Sequence, residues 1–166
     1  MKRFFCFLLT VVCAAALAAC TSQGSHSAVV DPASAADNTQ IPNPWQDYET
    51  LDALNTAAGT SLTAPKDLSV SEEHFAAMEG DAYTLAEYRF TYNGAEYTLR
   101  TAPTQEDISG LWKDGKTVGD GGEDFATVDG SPWTRWYDES GQRQFSLYGK
   151  DASAEDFAAV TAALAQ

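Results

Sequence analysis

The stretch A-E-Y-R-F-T-Y-N-G-A-E-Y-T-L-R, Ala86 to Arg100, leaves the chain few choices. Ala86, Tyr88, Phe90 and Tyr92 occupy alternate positions, with Glu87 and Arg89 between them. A period of two is the pattern of a strand with one buried face. Asn93-Gly94 follows, a dipeptide suited to a two-residue hairpin turn because both positions there need φ > 0. Beyond it Ala95, Tyr97 and Leu99 alternate with Glu96, Thr98 and Arg100. Such a hairpin has an aromatic face that must be covered.

The same rules place the other elements. Phe125 to Val128, a turn at Asp129-Gly130, Trp133 to Tyr137, a turn at Ser140-Gly141 and Gln142 to Tyr148 read as further antiparallel strands. One face of such a sheet can stay wet. Ser71 to Gly80 has a helical composition, yet Gly80-Asp81 reads as a turn into the Tyr83 strand, so it is expected to be a strand. The first element is expected to be a short helix, with Thr50 as N-cap, Asp52 in the first turn, Leu51, Leu54 and Ala58 on one face and Gly59 at the end. A last helix starts at Ser153, with Asp156 placed as a capping acid and Phe157, Val160 and Leu164 along the face turned to the sheet. The expected fold is α+β: a curved antiparallel sheet with a short N-terminal helix and a C-terminal helix packed on it.

The first 40 residues read differently. Lys2 and Arg3 precede a run from Phe4 to Ala19 that is apolar apart from Thr10. A charged start, a short apolar core and small residues at the end describe a secretory signal peptide. The run is short of the about 20 residues that span a bilayer. It ends Leu17-Ala18-Ala19-Cys20, which resembles the bacterial lipobox. That resemblance implies cleavage before Cys20 and acylation of its sulfur, with the membrane as partner on the extracytoplasmic face. The other two Cys, Cys6 and Cys13, would leave with the signal, so no thiol remains for a disulfide, a metal or a nucleophile. Residues 20–40, past Cys20 itself, are mostly Ser, Ala, Thr, Gln, Asn, Asp and Gly with one Pro, and read as a tether. Residues 41–166 hold all four Trp, all seven Tyr and five of the eight Phe, and read as a single domain.

The net charge is -14, and loss of Lys2 and Arg3 takes it to -16. A surface of that sign disfavours nucleic acid and anionic headgroups.

Ile41 to Gly59, I-P-N-P-W-Q-D-Y-E-T-L-D-A-L-N-T-A-A-G, resembles the opening of a family of small lipoproteins from Gram-positive anaerobes that carry a domain of unknown function. Asn43-Pro44-Trp45, Tyr48, Thr50 and Ala57-Ala58-Gly59 carry the likeness. Further on, the Pro65 segment, a strand ending at Arg100 and the turn Asp107-Ile108-Ser109-Gly110 continue it. The chain departs from the family's pattern at Leu111-Trp112-Lys113 and at the Gly-rich patch Gly119 to Gly122. The resemblance implies an antiparallel sheet with helices against it, and a distant similarity to the curved-sheet fold of lipoprotein carriers. It supplies no catalytic residues.

Chemistry is sparse. His26 lies in the tether and His74 is the one histidine of the domain, read as a half-exposed strand residue; no G-x-S-x-G marks a nucleophile. Zinc needs several His or Cys ligands, which are missing. Asp120-Gly121-Gly122-Glu123-Asp124 gathers carboxylates on a loop without the EF-hand spacing and reads as a solvated loop. No metal, cofactor or catalytic activity is expected. Trp133, Trp136 and Tyr137 form the densest aromatic cluster, and an exposed Trp beside Arg135 would suit a sugar or a peptide, so Trp133, Arg135 and Trp136 are the candidate ligand-binding residues. Three positions is an odd step in a strand, so the two indoles face opposite ways, one entering the core. Trp45 and Trp112 read as packing residues. The expected function is a membrane-anchored, non-catalytic binding or interaction domain with an unknown protein or envelope ligand. The alternative is a carrier or sensor of a lipid or other hydrophobic ligand.

Overall fold

The computed structural model describes residues 43–114, 116–121 and 124–164. Cys20 and the tether lie outside them, as do Glu123 and Gly122 of the acidic loop. Within them the chain is α+β, a seven-stranded curved antiparallel sheet with two helices.

The sheet runs β1-β2-β3-β4-β9-β8-β7. Its strands are β1 (Trp45–Tyr48), β2 (Ser71–Glu79), β3 (Thr84–Tyr92), β4 (Ala95–Ala102), β7 (Phe125–Val128), β8 (Ser131–Asp138) and β9 (Arg143–Lys150). A two-stranded ribbon, β5 (Trp112–Lys113) and β6 (Lys116–Thr117), stands apart. The first element is therefore a strand, not the helix expected. Four residues after Asn43-Pro44 are too few to show a period, and β1 is an edge strand held by pairing to β2. Ser71 to Glu79 is a strand as expected, despite its composition.

The β3–β4 hairpin turns at Asn93 (φ 50°) and Gly94 (φ 81°), so both central residues are left-handed. The turn sets the register and sends Ala86, Tyr88, Phe90, Tyr97 and Leu99 to one face. A ladder of rings crosses that face: Phe75 on Tyr88, Tyr88 on Phe90, Phe90 on Tyr97 and Tyr97 on Phe157.

Two helices cover the ladder. In α1 (Leu51–Ala58), Thr50 Oγ1 accepts the Ala53 N–H at 3.2 Å, and Gly59 closes the helix in the left-handed region. Leu54 and Ala58 are buried. In α2 (Ala154–Leu164), Ser153 Oγ accepts the Asp156 N–H at 3.1 Å and donates its own hydrogen to Asp156 Oδ2 at 2.6 Å. Asn93 Nδ2 donates to the other oxygen at 2.7 Å, so the hairpin turn and the helix start share one carboxylate. Phe157 lies so close on Gly149 that a Cβ there would meet the ring at 2.8 Å.

The second face is less open than the sequence suggests. Described residues between β4 and β7 fold back onto this face. Ile108 joins Leu85 and Ala102 in one small cluster, and Val118 joins Ala126, Val128 and Trp133 in another.

Two predictions follow from this core. The Tyr97 hydroxyl is buried without a partner among the described residues. Burial, then the charge of Asp156 and Tyr92, push its pKa up to about 12. Tyr97→Phe should raise stability by about 1 kcal/mol in urea unfolding, because an unsatisfied buried hydroxyl costs more than it returns; a loss of that size would count against the orphaned hydroxyl. The Ser153 and Asn93 hydrogen bonds hold the Asp156 carboxyl below its ordinary value of 3.8. A depressed acid contributes stability above the unfolded pKa and loses it as pH falls through the folded one. Asp156→Asn should therefore flatten the fall in Tm below about pH 4; an unchanged acid limb would contradict the assignment.

Candidate functional site

The two faces of the sheet part the three residues singled out in the sequence. Trp133 and Trp136 do point to opposite faces, and Trp133 is not placed to meet a ligand. Trp133 is fully buried, and its Nε1–H donates to Ser146 Oγ at 2.8 Å. Its ring fills the cluster with Val118, Ala126 and Val128. Arg135 lies on the same face, where it lines an open depression with Gln105, Asp124 and Tyr137 and also holds the chain itself. Its Nε–H donates to Asp124 Oδ1 at 3.1 Å and its Nη1–H to the Gly119 carbonyl at 3.1 Å. The sequence could not show this, because 119 and 124 reach the sheet only through the fold of the 103–124 segment.

Trp136 keeps its candidacy. It is half-buried on the helix side and stacks on Phe145 of β9, with centroids 5.2 Å apart and planes within 3°. The two residues are direct cross-strand partners. They sit in an open groove of about 450 Å³ with Ser61, Leu62, Thr63, Asp138 and Leu164. Its outer wall is fixed by Asn55 of α1. The Asn55 side chain donates to the Leu62 carbonyl and accepts the Leu62 N–H, both at 2.8 Å. This seats Leu62 in the core and turns Ser61 and Thr63 outward. Arg143 reaches from β9 to the Gly59 carbonyl at 3.3 Å, placing a cation at the end of α1 where the helix dipole is negative. Burial pushes the Arg143 pKa down. At the other rim Ser140 and Gly141 donate to Asp138, and the two Ser140 hydrogen bonds lead in holding its carboxyl below the ordinary range.

Phe145, Ser61, Leu62, Thr63 and Leu164 were not picked out from the sequence. Only Phe145 had a readable signal: the Ser140-Gly141 turn makes it the cross-strand partner of Trp136. The others come from segments whose approach no local pattern announces.

The opposite face carries a polar strip. Glu87 is buried, the one charged residue that is so among the described residues. Arg100 binds its Oε2 through Nε at 2.8 Å and Nη2 at 2.7 Å. Arg89 Nε lies 3.1 Å from Oε1 as an ion pair, off the axis of a hydrogen bond. Arg89 Nη2 also meets His74 Nδ1 at 3.0 Å. A guanidinium only donates, so Nδ1 is the acceptor and the ring proton sits on Nε2, which faces Asp47 Oδ1 at 3.2 Å. Both His74 nitrogens are thus engaged. A bulge at residues 71–74 of β2 brings His74 opposite Arg89.

Arg100 also explains the D-I-S-G turn. Its Nη1–H donates to the Ser109 carbonyl at 2.6 Å. Asp107 accepts both the Ser109 N–H and hydroxyl. Gly110 has φ 66°, and a Cβ there would sit 2.3 Å from Arg100 Nη1, so a larger residue would be strained and would displace the guanidinium. The Arg100 guanidinium lies 5.6 Å over the Trp45 ring.

Among the described residues no group of three His, Cys, Asp or Glu is placed to hold a metal ion. No helix there is long and apolar enough to cross a membrane. No protein-family model, curated protein or solved structure matches the chain.

Removing the Glu87 carboxylate leaves two arginines facing each other on a partly buried surface. Glu87→Ala should cost about 3 kcal/mol, the low end for a broken buried pair because both guanidinium groups reach solvent. Hydrogen exchange should rise over residues 105–111, which Arg100 holds only while its own geometry is fixed. A stability change under about 0.5 kcal/mol, the range of ordinary surface substitutions, would show the strip to be ornamental.

Proposed function

We propose that the chain is a lipid-anchored extracytoplasmic protein whose domain, residues 41–166, is a non-catalytic binding module. Cys20 is the acylated residue and the membrane its partner, a reading supported by the charged start, the apolar run and the Leu17-Ala18-Ala19-Cys20 ending. The binding part is carried by one observation, the open groove around the stacked Trp136 and Phe145. A rigid aromatic plane with apolar walls and polar rims is the usual composition of a small-molecule site. The interior between sheet and helices is filled by Leu54, Tyr88, Phe90, Tyr97, Leu147 and Val160, each at most 1% exposed. The groove, rather than an enclosed chamber, is therefore where a ligand is accommodated.

The anchor is tested in a Gram-positive host grown with an alkyne analogue of palmitate. The wild-type chain should take up the label and sediment with membranes. Cys20→Ser should lose the label and keep its uncleaved N-terminus. Absence of label from the wild type would remove the anchor from this reading.

A further inference from the structure

The composition of the groove narrows its ligand, if the module binds there as proposed. Three features bear on it. The first is a flat apolar plane: Trp136 is held parallel to Phe145, so the indole is ordered before any ligand arrives. The second is a rim of neutral donors and acceptors. Ser61 and Thr63 are exposed, and neither hydroxyl is engaged within the described residues. Asp138 adds an acceptor: its carboxylate has about four lone-pair sites, and the Ser140 and Gly141 donors take three. The third is charge. No Lys or Arg lines the groove, the nearby Arg143 is hydrogen-bonded to the Gly59 carbonyl and Thr101 Oγ1, and the protein as a whole is at -14.

These features select among ligands. A fatty acid would bring its carboxylate to a groove with no lining cation and an acidic rim. A phosphorylated ligand or an anionic polymer is repelled by the same field. A bare hydrocarbon would leave the Ser61, Thr63 and Asp138 oxygens facing it without hydrogen-bond partners. A neutral sugar ring answers all three: its C–H face lies flat on an indole, and its hydroxyls lie in the plane where the rim waits. The groove volume of about 450 Å³ is within the ~300–1,000 Å³ of small-molecule sites. The position agrees. From Cys20 to Asn43 there are 23 positions, so an anchored domain stays within about 80 Å of the bilayer, among the polymers of the envelope.

We propose that the Trp136–Phe145 groove binds a neutral sugar ring of an envelope glycan. The proposal rests on the binding-module reading and specifies its ligand.

The test uses the full-length chain purified in detergent. Chitotetraose and cellotetraose are titrated as sugar probes, and N-phenyl-1-naphthylamine as an apolar probe. Saturation-transfer NMR and tryptophan fluorescence report binding. At least one tetraose should bind saturably, with transfer strongest at the ring C–H protons. Trp136→Ala should weaken it by about tenfold or more. Because that change also removes a stacking partner, the exposed pair Ser61→Ala and Thr63→Ala is measured beside it and should weaken binding with Tm unchanged. Trp112→Ala, at a residue 66% exposed and outside the groove, should leave affinity as it was. Failure of both tetraoses, or sugar binding indifferent to the Trp136 and Ser61/Thr63 changes, overturns the sugar assignment. If the apolar probe then binds and is lost in Trp136→Ala, the binding module stands with another ligand class. If no probe responds to Trp136, the module reading falls with it.

Discussion

The carboxylate of Glu87 is the constraint around which the second face of the sheet is arranged. A buried acid is tolerated only when paired and hydrogen-bonded, and Glu87 has an arginine on each oxygen. Satisfying it orients Arg100, and Arg100 then has Nη1 left for the Ser109 carbonyl. The 103–124 segment is thereby held against the sheet at one end. Arg135 holds it at the other through Asp124 and Gly119. Beside these two clamps Ile108 and Val118 pack onto the sheet. A face that alternation alone would leave to water thus becomes half covered.

The other face is governed by width. Seven strands at about 4.8 Å spacing span about 29 Å, whereas two helices at about 10 Å each cover about 20 Å. The contacts follow that limit. The first helix lies over β1, β2 and β3, and the second sets Phe157 on Tyr97 of β4 and Gly149 of β9. Beyond β9 no helix covers this face among the described residues. Trp136 and Phe145 stand at that margin, stacked on each other and walled by the loop after the first helix. The groove is a geometric remainder of two short helices on a wide sheet, and its aromatic floor is what makes the remainder chemically useful.

Both faces show why the site was only partly readable. Trp136 was legible as a candidate because aromatic residues beside polar ones on a strand are conspicuous. Its separation from Trp133 was legible too, since three positions invert the face. Which of the two entered the core was not, because β8 has apolar material on both sides: Val118 and Ala126 above Trp133, Phe145 beside Trp136. Arg135 looked like a binding residue for the same reason that it is a clamp. A guanidinium next to indoles suits a ligand and suits a carbonyl equally, and Gly119 is sixteen residues away.

Local sequence determined the elements whose forces are local. The Asn93-Gly94 turn, the alternation on either side of it, the Thr50 and Gly59 ends of the first helix and the Ser153–Asp156 start of the second depend on steric limits and hydrogen bonds within a few residues. Tertiary structure decided what depends on distant partners. Pairing with β2 made a strand of Trp45–Tyr48, and pairing with β3 made one of Ser71–Glu79. The Glu87 pairs brought the D-I-S-G turn to Arg100, and Asn55 placed Ser61 and Thr63 beside Trp136. Those contacts join residues whose spacing along the chain carries no period, so only the closing of the sheet reveals them.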